Sequence, residues 1–217
     1  MKNIIDLEHI FYINLESRTD RKEHVENQLA NIGICAATRF NAIKLPNGAL
    51  GCSMSHLKCL TIAKENGWSH VVICEDDIQF LDPELFVKQL NLFLENHEND
   101  WDVILISGNN MPPYQVVDDT CIKVTRCQTT TGYIVKSHYF DKLIQNYRDG
   151  IQQLIREPNK HVLYAIDKNW FKLQEQDRWF LITPLTVVQR EDYSDIEKRY
   201  TNYKNVMIDI DKKAWFR

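Results

Sequence analysis

Two apolar periods alternate along the first half of the chain. Phe11, Ile13 and Leu15 fall on every second position of the segment His9 to Leu15, which predicts a first strand with one apolar face. Ser17 to Asp20 then offers helix N-cap residues, with Asp20 and Glu23 spaced as in a capping box. Val25, Leu29 and Ile32 follow at helical spacing, and Gly33 reads as the stop. The turn Leu45-Pro46-Asn47-Gly48 precedes a helix that the pattern starts near Ser53, with Met54, Leu57, Leu60 and Ala63 in one stripe and Gly67 at its end. Val71 to Cys74 is short and wholly apolar, as strands covered on both faces are. Asp82-Pro83 opens another helix, with proline at the tolerated first position and Leu85, Leu92 and Phe93 on its apolar side.

The second half is more broken. Asp102 to Ser107 reads as a strand that ends at Gly108-Asn109-Asn110, and residues 121–126 and 131–136 read as shorter strands. Ser137 is placed to cap a helix carrying Phe140, Leu143, Ile144 and Tyr147, stopped near Gly150. Tyr164 to Leu173 reads as helix, and Trp179 to Val188 as short strands around Pro184. Beyond Tyr193 charge and tyrosine dominate and no element is assignable. Strands alternating with helices and then clustering predict an α/β sandwich, parallel in its first half and mixed later. There is no internal repeat, low-complexity tract or linker, so the 217 residues read as a single domain, core about 9–196 with a tail at 197–217.

Composition narrows the class. Hydrophobic residues make up 44% and charged residues 26%, an ordinary globular balance. Net charge is −4 with no lysine or arginine block, which argues against a nucleic-acid partner. The six cysteines (35, 52, 59, 74, 121 and 127) form no C-x-x-C pair, which argues against a zinc site. Cys59 and Cys74 fall on apolar faces, where buried thiols are common. Charge interrupts the N-terminal apolar stretch and no run approaches a membrane span, so neither signal peptide nor transmembrane segment is read and a cytoplasmic location is expected.

The sharpest chemical feature is Glu75-Asp76-Asp77, which follows the apolar run directly. Open α/β sheets bind ligands beyond the carboxyl ends of their strands. Three consecutive carboxylates repel one another unless solvent or a cation screens them. Mg²⁺ and Mn²⁺ take oxygen ligands, commonly one or two carboxylates together with substrate phosphates. Read alone, the triplet is either such a site or a solvated turn leading to the helix at Asp82.

Six segments in order resemble glycosyltransferase family 25, which includes lipopolysaccharide and procollagen galactosyltransferases. They are Tyr12-Ile13-Asn14-Leu15 with Arg18 and Asp20-Arg21; Gly51-Cys52-Ser53-Met54-Ser55-His56-Leu57; Val72-Ile73-Cys74-Glu75-Asp76-Asp77-Ile78; Thr130-Thr131-Gly132-Tyr133-Ile134-Val135; Ile166-Asp167 before Trp170; and Pro184-Leu185-Thr186-Val187-Val188-Gln189 followed by Ser194-Asp195-Ile196. The resemblance implies a GT-A-like (Rossmann-like) α/β sandwich with a mixed, mainly parallel central sheet. It further implies a UDP-sugar donor, Mn²⁺ (or Mg²⁺) dependence, inversion at the anomeric carbon, and a glycan or hydroxylysine-containing protein as acceptor. A homodimer is left open.

Roles follow by position within the resemblance. Asn14 and Leu15 would line the base and ribose pocket, and Arg21 would pair with a phosphate or with a neighbouring carboxylate. Ser53, Ser55 and His56, placed at a helix N-terminus, would favour an anion, or else Ser53 is a cap and His56 a packed ring. Asp77 would bind the metal, with Glu75 and Asp76 sharing metal and ribose contacts. Gln189 would approach the metal or donor, or make a structural hydrogen bond. Asp167 would be the general base, or a helix cap, and Trp170 would stack on a sugar or fill core. Cys52 and Ser53 depart from residues frequent in bacterial relatives, and acceptor specificity is expected in loops 107–120 and 149–162. Two other classes compete: a non-catalytic nucleotide-sugar-binding module of the same fold, and a sugar-nucleotide pyrophosphorylase. The absence of glycine between Asn14 and Arg21 argues against the latter.

Overall fold

The structure is a computed structural model that describes residues 1–98, 100–194 and 197–213. The chain opens with β1 (Ile10–Asn14), buried along its length, then α1 (Thr19–Asn31) and β2 (Thr38–Asn41). α2 (Gly48–Glu65) leads into β3 (His70–Glu75), and after the carboxylate turn come β4 (Ile78–Phe80) and α3 (Pro83–His97). Short strands follow: β5 (Val103–Leu105), β6 (Asn109–Met111), β7 (Gln115–Val116), β8 (Cys121–Lys123) and β9 (Arg126–Gln128). β10 (Gly132–Lys136) passes through a 3-10 turn into α4 (Phe140–Arg156). The one-turn helices α5 (His161–Tyr164), α6 (Ile166–Asn169) and α7 (Phe171–Gln174) precede β11 (Trp179–Ile182) and β12 (Val187–Gln189). β13 (Asp192–Ser194), β14 (Arg199–Thr201) and α8 (Lys204–Ile208) complete the described chain.

Eight strands form the central sheet in the order β2-β1-β3-β10-β5-β11-β8-β7. β1 pairs parallel with β2 and β3, and β5 with β11, while β10 and β8 run against their neighbours. The sheet is therefore mixed, with six of its eight strands (β2, β1, β3, β5, β11 and β7) running in one direction, which is the mainly parallel arrangement the sequence order leads one to expect. Period two sorts its side chains onto two faces. Tyr12, Val72, Cys74, Ile104 and Ile134 meet Val25 and Leu29 of α1 and Phe86, Leu90 and Phe93 of α3. Phe11, Ile13, Val71, Ile73 and Val135 meet Cys59 and Leu60 of α2 and Leu143 and Tyr147 of α4. β3 is apolar from Val71 to Cys74 because helices cover both its sides.

Several local expectations change. Asn47 caps α2, its side chain accepting from the Leu50 N–H at 3.1 Å, so this helix starts a turn and more before Ser53. Arg18 occupies the cap position of α1 but its side chain makes no capping hydrogen bond, and the Asp20–Glu23 capping box does not form because Arg18 holds the Asp20 carboxylate at 2.9 Å. Asp82 caps α3 as expected, but Leu92 points outward and Phe86, Leu90, Phe93 and Leu94 make the buried face. Ser137 opens the 3-10 turn instead of capping α4. α4 runs through Gly150, so the second expected loop is helical as far as Arg156. A Cβ at Gly150 would lie 3.0 Å from Tyr164 O and 3.1 Å from Asn169 Nδ2, so glycine there permits close packing and is no stop signal. Residues 164–173 form broken turns and not one helix, and the tail carries β13, β14 and α8, which no pattern showed. All six thiols are free, Cys59 and Cys74 fully buried. Asp195 and Ile196, the end of the last family segment, lie outside the described residues.

Gly51 shows how tightly α2 is seated: a Cβ there would stand 2.4 Å from the Ile43 carbonyl oxygen. In an open helix Gly→Ala stabilises by about 1 kcal/mol. Here Gly51→Ala is expected to destabilise by about 1–3 kcal/mol, because backbone must move. The midpoint of urea unfolding measures this, and a rise in midpoint would contradict the packing described.

Candidate active site

Strand register assembles the carboxylates. Ile13 of β1 pairs with Glu75 of β3, so the two strands leave the sheet with Asn14 beside Asp76. On the other side Gly132 pairs with Cys74, and Glu75 N–H donates to Thr131 O at 3.0 Å, bringing Thr130 to the Glu75 side chain. The β4–β12 ribbon sets Gln189 opposite Ile78, and Arg190 N–H donates to Asp77 O at 2.7 Å.

Each carboxylate has its own surroundings. Glu75 Oε1 accepts from Thr130 Oγ1 at 2.8 Å and from the Cys52 thiol at 3.3 Å, and lies 3.2 Å from His56 Nε2. His56 is wholly buried, with Nδ1 2.8 Å from Tyr133 Oη, which in turn accepts from Tyr147 at 3.1 Å. Asp76 is clamped on both oxygens: Asn14 Nδ2 donates at 2.7 Å and Arg21 Nη1 at 3.0 Å. Asp77 is the poorest in partners. Its Oδ2 meets Gln189 Nε2 at 3.4 Å and Arg21 Nη1 at 3.9 Å, and its Oδ1 is buried with no hydrogen-bond partner.

The electrostatics follow from this. Burial pushes the Asp77 carboxyl well above its ordinary range, and the charges of Glu75 and Asp76 add to the push against the opposing Arg21. Burial also raises Asp76, more than Arg21 and Asn14 lower it. For Glu75 burial is outweighed by the bonds from His56, Thr130 and Cys52, which hold it below the usual value. A buried carboxylate oxygen left unpaired costs about 1–3 kcal/mol or more. A hard cation would satisfy it, and a turned Gln189 amide would present an oxygen alongside. The residues present thus fit a divalent ion.

The expected site residues divide clearly. Asn14 closes β1, but its side chain is spent inside the protein, on Asp76, Arg18 O and Arg39, so it orients Asp76 instead of lining a pocket. Leu15 is half-buried at the same strand end. Arg21 takes the carboxylate alternative, pairing with Asp76 and with Asp192 at 3.0 Å. The helix-terminus reading of Ser53, Ser55 and His56 is corrected: all three lie inside α2, where the backbone N–H groups are already bonded. Ser53 donates to Ala49 O, so it is not a cap, and Ser55 donates to Gly51 O and accepts from Ile43 N–H. Asp167 sits in the first turn of α6, where Ala165 is the cap. Its Oδ2 accepts from Thr129 N–H at 3.1 Å, and burial, with the Glu75 charge, raises it while Lys168 opposes. Trp170 is core, fully buried and donating to Cys127 O at 2.9 Å.

A family model described as glycosyltransferase family 25 (LPS biosynthesis protein) matches residues 41–170, more than half the chain. The chain belongs to this family. It is a glycosyltransferase, and the matched span of this family 25 member holds α2, the triplet, β10 and Asp167, but neither Arg21 nor Gln189. No curated protein matches the chain. Among solved structures it is similar to a glycosyltransferase involved in glycosylation of the major capsid of PBCV-1, at 12% identity over 93% of this chain and 88% of that one, with TM-score 0.49. It is also similar to a Drosophila β-1,4-galactosyltransferase 7 variant in complex with manganese, UDP-Gal and xylobiose, at 11% identity over 92% of this chain and 73% of that one, with TM-score 0.42.

Residue-by-residue reading of the family 25 sequence missed Asp192, which accepts from Arg21 Nε at 3.0 Å and from Arg18 Nη2 at 2.8 Å. Nothing in the charged stretch Arg190-Glu191-Asp192 marks one residue out; only the β13 position does. Because Arg21 joins Asp76 to Asp192, Arg21→Met leaves the buried Asp76 with Asn14 alone and Asp192 with Arg18 as its remaining arginine. It is expected to destabilise by on the order of 2–3 kcal/mol. Adding Asp76→Asn should recover part of that loss in a double-mutant cycle of denaturation energies, and strictly additive effects would refute the coupling.

Proposed function

We propose that this family 25 member is a metal-dependent, inverting hexosyltransferase that moves galactose or glucose from a UDP-sugar to a saccharide or hydroxylysine hydroxyl. The observation that carries the metal dependence is Asp77, whose Oδ1 is buried and unpartnered beside two further carboxylates. Asp77 would hold Mn²⁺ or Mg²⁺, with Gln189 next to it. Glu75, already bound by three donors on Oε1, is the fixed neighbour. When bound, the ion would offset charge on the diphosphate leaving group. Leu15 and Asp76, at the adjoining strand ends, would face the nucleoside.

Asp167 is assigned as general base. Its carboxylate takes the acceptor hydroxyl proton as that oxygen bonds the anomeric carbon and the bond from that carbon to the UDP oxygen breaks. A single displacement of this kind inverts the centre. The raised Asp167 suits the task, since a base works best when its pKa approaches the working pH.

Asp77→Asn is expected to abolish metal-dependent UDP-sugar binding, read by calorimetry with and without Mn²⁺; equal affinities in both would remove Asp77 from the site. Asp167→Asn should lower turnover by about 10²–10⁴-fold while donor affinity stays unchanged. UDP release across a panel of UDP-sugars measures it. Donor binding with no turnover by the unaltered protein on any acceptor would instead support a binding module. The pH dependence has a definite sign. Asp167 acts only when deprotonated and its pKa is raised, so kcat should fall with acidification through a value above the ordinary aspartate range of about 3.9. A profile flat down to that range would exclude it as base.

A further inference from the structure

Among the described residues, two places bring three metal-binding side chains within reach of one ion: Cys52, His56 and Glu75, and His97, Asp118 and Cys121. The first belongs to the active site. The second is elsewhere, at β8, which β10, β5 and β11 separate from β3. We propose that His97, Asp118 and Cys121 form a zinc site, completed by water, that ties the β7–β8 edge of the sheet to the end of α3.

The three groups are pre-aimed. His97 is the last residue of α3, and its ring stacks on Phe93 with centroids 4.6 Å apart and on Phe180 at 6.0 Å, which fixes the ring plane. Its Nε2 lies 2.7 Å from Asp118 Oδ2. Asp118 is oriented by Thr120, which donates to Oδ1 from its N–H at 2.7 Å and its hydroxyl at 2.6 Å. Cys121, fully buried, directs Sγ to 4.0 Å from that same Nε2 and 3.8 Å from Asp118 Oδ1. Cys121 adds sulfur to the histidine–aspartate pair, so the set mixes nitrogen, oxygen and sulfur as zinc ligand sets do.

The spacing fits with small movements. Usual zinc bond lengths give tetrahedral edges of about 3.3–3.5 Å. Nε2 stands 2.7 Å from Oδ2 and 4.0 Å from Sγ, Sγ stands 3.8 Å from the other carboxylate oxygen, Oδ1, and one ligand atom from each residue lies within 4.8 Å of the other two. Binding replaces the thiol proton, which leaves to solvent, and uses the neutral imidazole through Nε2. His97 and Asp118 side chains remain 16% and 34% exposed, which leaves a solvent side for entry and for a water ligand. Each ligand comes from a different local element, so no C-x-x-C spacing announces the site. β7 is a two-residue edge strand, and a metal clip there would hold the end of the sheet in place.

Co²⁺ alone, added to metal-stripped full-length protein carrying Asp77→Asn, tests this. Expected are thiolate-to-cobalt charge-transfer absorption and one bound ion per chain, kept when Cys52→Ser is added and lost when Cys121→Ser is added. No such band, or a band kept in Cys121→Ser and lost in Cys52→Ser, overturns the proposal. Should Cys121→Ser fail to fold, His97→Gln decides. A changed ligand-field spectrum with at least tenfold weaker cobalt binding supports the site, and an unchanged spectrum rejects it. Because these readouts are independent of sugar transfer, they stand or fall apart from the proposed activity.

Discussion

Three neighbouring carboxylates leave the end of a strand whose other residues are buried, and the site is organised around keeping them there. Burial raises the free energy of each charge, and their mutual repulsion adds to it. The protein answers each one differently. Glu75 receives three donors, Asp76 receives an amide and a guanidinium, and Asp77 receives only marginal contacts. Arg21 supplies the nearby positive charge, and Asp192 and Tyr193 O fix its direction. The unequal treatment leaves Asp77 unsatisfied, and that is what makes it the chemically open member.

Behind Glu75 a buried chain extends through His56 to Tyr133 and Tyr147. With Nε2–H directed at Glu75, Nδ1 accepts from Tyr133, whose oxygen accepts from Tyr147; one tautomer satisfies every member. Such a chain runs from α4 through β10 and α2 to β3, so the helices that cover one face of the sheet also hold a carboxylate at its end. Packing and chemistry therefore share residues here. Substitutions in α2 that look structural act on Glu75 as well.

What could be read from the sequence, and what could not, follows from the range of the forces involved. β1, β3 and the cap at Asp82 are local matters of period and side-chain bonding, and they appear where expected. The start of α2 is not legible in Gly48-Ala49-Leu50-Gly51, which is not a strong amphipathic pattern; a cap at Asn47 and close contact with Ile43 settle it. Gly150 looked like a stop because a glycine signals chain freedom in sequence, while here it marks an approach by Tyr164. The triplet, Asp167 and Gln189 stand in segments that resemble the family, and the structure brings Gln189 to 3.4 Å from Asp77. Asp192 was not, since its importance lies in two long-range ion pairs with arginines.

Gln189 reaches Asp77 across 112 residues of chain, carried by a two-stranded ribbon outside the main sheet. During synthesis, Asp77 emerges with β3 and waits for β12 to arrive before its surroundings close. Assembly of the site consequently needs β12 in place on β4 as well as β1 beside β3.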